Sequence, residues 1–120
     1  MAKILIVEDD PDLCELLTVL LQRNGFEVQS AISKEELFAK LNNFTPDLIL
    51  LDILLPGYNG RDICKEIKGK RKGILIILMS ANPLLLLNHE ECHADGAIEK
   101  PFNNEDIIDK IKHVIKTNQL

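Results

Sequence analysis

Three uninterrupted apolar runs punctuate the chain: Ile4 to Val7, Leu48 to Leu51 and Ile74 to Met79. Each is too short for a helix, so each predicts a strand buried on both faces, as in the middle of a parallel sheet. Phe26 to Ala31 instead alternates, with Glu27 and Gln29 polar, and predicts a half-exposed edge strand. Ala97 to Glu99 predicts a second, short edge strand. Helical spacing fills the intervals. Asp10-Pro11 forms an N-cap and first helical residue; Leu13, Leu16, Leu17, Leu20 and Leu21 then share one face until Asn24-Gly25. Ser33-Lys-Glu-Glu36 has capping-box form and opens a helix using Leu37, Phe38 and Leu41. A third helix, from about Gly60 to Lys68, buries Ile63, Cys64 and Ile67. Asn82-Pro83 caps a fourth, which holds Leu84 to Leu87 and reaches about Cys92. Asn103 with Asp106 opens the last, packing Ile107, Ile108, Ile111, Val114 and Ile115, with Lys110, Lys112 and Lys116 outward near its carboxyl end.

Five strands alternating with five helices predict an α/β fold, a doubly wound parallel sheet with helices on both faces and right-handed crossovers. Three inner and two edge strands are satisfied by the order 2-1-3-4-5, the flavodoxin-like arrangement. A length of 120 residues suits one domain spanning 1–120. The net charge of −5 argues against gripping nucleic acid directly, and the Lys70-Arg71-Lys72 loop between Gly69 and Gly73 predicts a solvated turn. No apolar stretch approaches membrane-spanning length, and Met1-Ala-Lys3 leads into the first strand without a signal peptide. Cys14, Cys64 and Cys92 form no CxxC pair, and their odd number suits a reducing, cytoplasmic compartment.

The chemistry gathers at the carboxyl ends of the predicted strands, where open α/β sheets bind ligands. Strand one ends in Glu8 and Asp9, strand three in Asp52, strand four in Ser80 and strand five in Lys100. Taken separately these are a helix-capping acid cluster, a turn aspartate, a capping serine and a surface lysine. Taken jointly they are a site. Two carboxylates at contact distance repel by about 4 kcal/mol at an effective dielectric near 20, and one lysine compensates only one of three. A divalent cation settles the rest, and all-oxygen ligands favour Mg²⁺. Carboxylate, metal, hydroxyl and ammonium together suit phosphoryl transfer. Asp52 would attack phosphorus to form an acyl phosphate, while Mg²⁺, Lys100 and Ser80 hold the equatorial oxygens. No Gly-rich phosphate loop is present, which argues against a nucleotide donor.

The runs Ile-Leu-Ile-Val-Glu8-Asp9-Asp10, Asp52-Ile-Leu-Leu-Pro56-Gly-Tyr-Asn-Gly60, Met-Ser80-Ala81 and Lys100-Pro101-Phe102 carry a resemblance to a known family. Over essentially its whole length the chain resembles the receiver domain of two-component response regulators. The resemblance implies that Asp52 is the phosphoacceptor and that Glu8 and Asp9 form its acidic pair. It implies direct contact of Asp9 and Asp52 with Mg²⁺, Glu8 acting through water, and the Leu54 backbone carbonyl as a further ligand. Ser80 would be the switch hydroxyl and Lys100 the phosphate-binding cation. The donor would be a phosphohistidine on a sensor histidine kinase or phosphotransfer protein, and the domain would not be a turnover enzyme on other substrates.

Two departures from the family pattern stand out. Ala97 occupies the place of the usual Tyr or Phe three residues before the lysine, and the segment from Ser80 to Lys100 is about two residues short. A degenerate receiver that binds a partner constitutively is therefore an alternative reading. A small phosphatase is a third, opposed by Leu54 where a water-activating acid would stand. His89, Cys92 and His93, at i, i+3 and i+4, offer a helical metal-ligand pattern or a solvated helix end. Four consecutive leucines, Leu84 to Leu87, sweep round a helix, so at least one faces outward as an odd exposed residue or as a homodimer or output-partner surface.

Overall fold

The apolar runs form the inner strands of one parallel sheet in the computed structural model, which describes residues 2–118; Met1 of the Met1-Ala-Lys3 run into the first strand lies outside them. The strands are β1 (Lys3–Val7), β2 (Glu27–Ala31), β3 (Leu48–Asp52), β6 (Leu75–Ser80) and β7 (Gly96–Glu99), in the order β2-β1-β3-β6-β7. This is the 2-1-3-4-5 order the burial pattern requires. After β3 comes a two-stranded antiparallel hairpin, β4 (Leu54–Leu55) and β5 (Tyr58–Asn59), turning at Pro56-Gly57, with Gly57 at φ 78°. Among the described residues four α-helices flank the sheet: α1 (Pro11–Arg23), α2 (Lys34–Leu41), α3 (Gly60–Lys70) and α4 (Asn104–Thr117).

Alternate side chains of each inner strand feed opposite cores, because successive strand residues face opposite ways. Leu5, Val7, Ile49, Leu51, Ile76 and Leu78 pack with Leu37, Leu41, Ile63 and Ile67 beneath α2 and α3. Ile4, Ile6, Leu48, Leu50, Ile77 and Met79 pack with Leu17, Leu21, Ile107 and Ile111 beneath α1 and α4. A one-residue slip of any inner strand would exchange these two sets, so two-sided burial specifies the register. Val7 pairs with Leu51, Leu51 with Leu78, Asp52 with Met79, and Ser80 with Glu99. Four carboxyl ends thus reach one rim at nearly one height.

The predicted caps form. Asp10 accepts the N–H groups of Asp12 and Leu13, Ser33 accepts that of Glu36, and Asn103 accepts that of Asp106. Two expectations are corrected. Leu16 is exposed, because only Cys14, Leu17 and Leu21 of α1 are fully buried and the apolar face is narrower than its leucines. The Leu84 to Leu87 stretch is no α-helix. Asn82 does cap the segment, accepting the Leu84 N–H, but a 3₁₀ turn over Pro83–Leu86 ends at extended Leu87, left-handed Asn88 (φ 56°) follows, and a second 3₁₀ turn covers His89–Cys92. The physical reason is competition for carbonyls. Arg61 of α3 donates Nη1 to the carbonyls of Leu85 (3.0 Å) and Leu87 (2.9 Å) and Nη2 to that of Asn88 (3.0 Å). A charged, forked donor aimed at three carbonyls outweighs the weak cooperativity of so short a helix. With the helix goes the metal-ligand pattern. The Cys92 thiol is buried and donates to the His89 carbonyl (3.1 Å), while His93 is itself left-handed at φ 68°. Among the described residues no helix is long and apolar enough to cross a membrane.

Gly60 begins α3 against the end of β3. A Cβ there would lie 2.4 Å from the Asp52 carbonyl oxygen and 2.7 Å from Ile53 Cα, both backbone atoms with no freedom to yield. Gly60→Ala should therefore destabilise the protein by about 2 kcal/mol, the overpacking penalty exceeding the gain in helix propensity. A urea midpoint at or above the parent value would show that the helix can retreat from β3 without cost.

Candidate functional site

Glu8, Asp52, Ser80 and Lys100 each arrive from the last position of a strand or the first position beyond it. Glu8 follows β1 and is 1% exposed; Asp52 closes β3 at 6%, and Ser80 closes β6 at 1%. Among the described residues these are the buried polar or charged side chains of a largely apolar interior. Asp9 is exposed, one residue beyond Glu8. Oxygens of Glu8, Asp9 and Asp52 all lie within 4.8 Å of one another.

Lys100, just past β7, reaches across the sheet ends into this cluster. Its Nζ donates to Glu8 Oε2 at 2.6 Å and to Asp52 Oδ2 at 3.2 Å. The remaining Glu8 oxygen accepts the Asp10 N–H (3.2 Å), and Asp52 Oδ1 accepts the Leu54 N–H (3.2 Å). Ser80 Oγ accepts the Asn82 N–H (3.0 Å), and the Ser80 carbonyl accepts the Lys100 N–H (2.8 Å), so β6 and the lysine are tied together. The peptide after Lys100, to Pro101, is cis. The structure thus brings together Glu8, Asp9, Asp52 and Lys100. It places Ser80 at the same rim, its hydroxyl turned to its own turn rather than bonded to the carboxylates. Of Leu54 it is the N–H that engages Asp52, and the side chain stands exposed.

The charges do not balance. One ammonium faces three carboxylates, two of them withdrawn from water, and the exposed Asp9 receives nothing from Lys100. Burial pushes the Glu8 carboxyl up to about 7, against the hydrogen bond from Lys100, and the neighbouring Asp52 charge adds to the rise. Burial works to lower the Lys100 ammonium, but its hydrogen bond to Glu8 and the charges of Asp52 and Glu8 prevail and hold it above its ordinary range. Hard oxygen donors, a surplus of negative charge and an open side at Asp9 fit a hard divalent cation. Soft metals find no thiol here: the buried Cys64 and Cys92 lie elsewhere, between α3 and the 3₁₀ segment.

Gly60 and Arg61 were not legible as site-supporting residues. Gly60 stood in a turn motif, but that its missing Cβ lets α3 rest on the Asp52 backbone depends on tertiary approach. Arg61 carries no sequence signal at all; an arginine in the first turn of a helix reads as a solvated side chain.

Residues 4–112 match the family model described as the response regulator receiver domain. The DNA-binding response regulator MtrA of Mycolicibacterium smegmatis is 30% identical over 119 residues, 98% of this chain and 52% of MtrA. The transcriptional regulatory protein CpxR homolog of Haemophilus influenzae is 36% identical over 118 residues, 97% of this chain and 51% of that protein. The chain therefore spans about half the length of these relatives. Among solved structures, a two-component response regulator from Clostridium difficile superimposes with a TM-score of 0.90 at 30% identity, covering 99% of this chain and all of that one. TrrA from Thermotoga maritima, solved in complex with Mg²⁺–BeF, gives 0.86 at 35% identity, covering 95% and 99%.

The Glu8 environment predicts an unusual pH slope. Its carboxyl titrates at about 7 in the native state against an ordinary 4.5, so between these values the native protein holds the extra proton. Stability of metal-free protein should then be greatest near pH 5 and fall by on the order of 2 kcal/mol by pH 8. Urea unfolding in chelator at both pH values, on the parent and on Glu8→Gln, isolates the effect. The parent should show the loss and the variant should not; equal slopes would contradict it.

Proposed function

The chain belongs to the response regulator receiver domain family, and from that membership we propose that Asp52 is its phosphoacceptor, in a reaction that depends on Mg²⁺. The observation that carries the reading is the convergence of Glu8, Asp9 and Asp52 within 4.8 Å, with the Lys100 ammonium between Glu8 and Asp52. Asp52 is the central member: it ends the middle strand of the sheet and is held from both sides, by Lys100 at Oδ2 and by the Leu54 N–H at Oδ1.

A carboxylate oxygen so fixed cannot swing away from an incoming phosphorus atom, and positioning of this kind is most of what phosphoryl transfer asks of a protein. In the proposed reaction an Asp52 oxygen attacks in line, the bond from phosphorus to the donor's imidazole nitrogen breaks, and the imidazole leaves with the bonding pair. Lys100, already at Asp52, stabilises charge on the transferred oxygens, and the Ser80 hydroxyl turns from Asn82 toward them. Asp9, Asp52 and the Leu54 carbonyl, with Glu8 acting through water, would hold Mg²⁺. When bound, the ion would supply the charge that one lysine cannot. The Mg²⁺–BeF complex of TrrA supports this choice of metal by kinship.

The proposed donor is a phosphohistidine of a sensor histidine kinase or phosphotransfer protein, acting in the cytoplasm, and the chemistry is confined to the domain's own aspartate. Ala97, a half-buried residue of β7, offers no ring to move when Ser80 turns. The output surface is then the segment after Ser80, which exposes Leu84 (72%) and Leu87 (60%) to an output partner or second copy.

Incubation with phosphoramidate and Mg²⁺ should add one phosphoryl mass to the intact protein, and chelator should suppress it. Asp52→Asn should abolish the gain. Persistent labelling of that variant would reassign the acceptor to another residue.

A further inference from the structure

The 83–92 segment is tied to the Asp52 end of β3 by a route that bypasses both Ser80 and β7. It begins at Gly60, whose N–H donates to the Ile53 carbonyl at 2.6 Å and where a Cβ would meet the Asp52 and Ile53 backbone. The next residue, Arg61, has its own N–H held by Asn59 Oδ1 (2.8 Å), so its backbone is pinned to the same turn. From there its guanidinium spans the carbonyls of Leu85, Leu87 and Asn88, with the Glu91 carboxylate 3.8 Å away.

The segment has little else to hold its middle. Its own backbone bonds are single-turn closures, Leu85 N–H to Asn82, Glu91 N–H to Asn88 and His93 N–H to Glu90. Only Leu85, Leu86 and Cys92 anchor it to the core, while Leu84 and Leu87 face outward. Leu87 and Asn88, the extended and left-handed residues where the two turns meet, are the point at which Arg61 grips.

We infer that Arg61 is a positioning residue that couples the Asp52 loop to the 83–92 segment, in place of the aromatic that Ala97 does not supply. The inference rests on the proposed phosphorylation of Asp52. A phosphoryl group on either Asp52 oxygen must displace or re-aim the Leu54 N–H or Lys100 bond. The Ile53–Asn59 loop then shifts under Gly60, and the shift moves the base of the Arg61 side chain. Three charge-assisted bonds to consecutive turns convert that movement into a change of grip at Leu87 and Asn88. Arg61 touches no reacting atom, so its role is coupling and not catalysis.

The test uses amide exchange over residues 84–92, with and without Mg²⁺ and beryllofluoride as the phosphoryl mimic, on the parent, Arg61→Ala and Glu91→Gln. In the parent, loading should change exchange in this segment. In Arg61→Ala the segment should exchange about tenfold faster, and loading should no longer alter it. Glu91→Gln leaves the three carbonyl bonds and should respond like the parent. Because coupling is reciprocal, Arg61→Ala should also shift the affinity of Asp52 for beryllofluoride about fivefold, which mere support of a surface segment would not do. Parent-like response to loading in Arg61→Ala, or unchanged beryllofluoride affinity, overturns the inference. Phosphoryl mass gain from phosphoramidate separates the two claims. If the parent gains none, the phosphoacceptor reading fails and the coupling with it; if it gains the mass and Arg61→Ala still responds, only the coupling fails.

Discussion

The ammonium of Lys100, 2.6 Å from Glu8 and 3.2 Å from Asp52, is one positive charge set among three carboxylates at the end of a buried sheet. Much of the molecule follows from keeping that cluster together. The two acids it touches are among the most buried polar groups of the chain, and burial of a lone carboxylate costs several kcal/mol unless it is paired or protonated. Lysine pairing and a partly retained proton on Glu8 are how the metal-free protein tolerates the arrangement. In the proposed reaction a divalent cation and a phosphoryl group would be received here.

The apolar runs carry the geometry behind this. Leu48 to Leu51 is buried on both faces, so β3 must be central, and the same reasoning makes β1 and β6 its neighbours. Once these three strands are in register, Glu8, Asp52 and Ser80 come to one rim without further instruction, and the β7 pairing Ser80↔Glu99 adds Lys100. Strand order, the caps at Asp10, Ser33 and Asn103 and the acidic cluster were legible from sequence because local pattern and global fold agree there. Leu16 was misplaced because helical spacing marks an apolar face without saying how much of it the sheet covers. The β4–β5 hairpin escaped notice because two-residue strands have no period to read.

Residues 83–92 escaped for a different reason. Asn82-Pro83 is a sound helix start and the leucines that follow are good helix formers, so local propensity points to an α-helix. The outcome is set instead by Arg61, more than twenty residues earlier, whose three donors claim the carbonyls of Leu85, Leu87 and Asn88. The connection to β7 and the small residue at Ala97 fall in the same region.

If the unbalanced charge at the strand ends makes a cation site, filling it stabilises the fold. Thermal unfolding at pH 8 across a Mg²⁺ titration, on the parent and on Asp9→Asn, decides this. The parent midpoint should rise with a one-site dependence. Asp9→Asn, relieved of one like charge, should be more stable than the parent without metal, by ~1 kcal/mol, and gain little from Mg²⁺. A parent midpoint indifferent to Mg²⁺, or an equal rise in the variant, would contradict it.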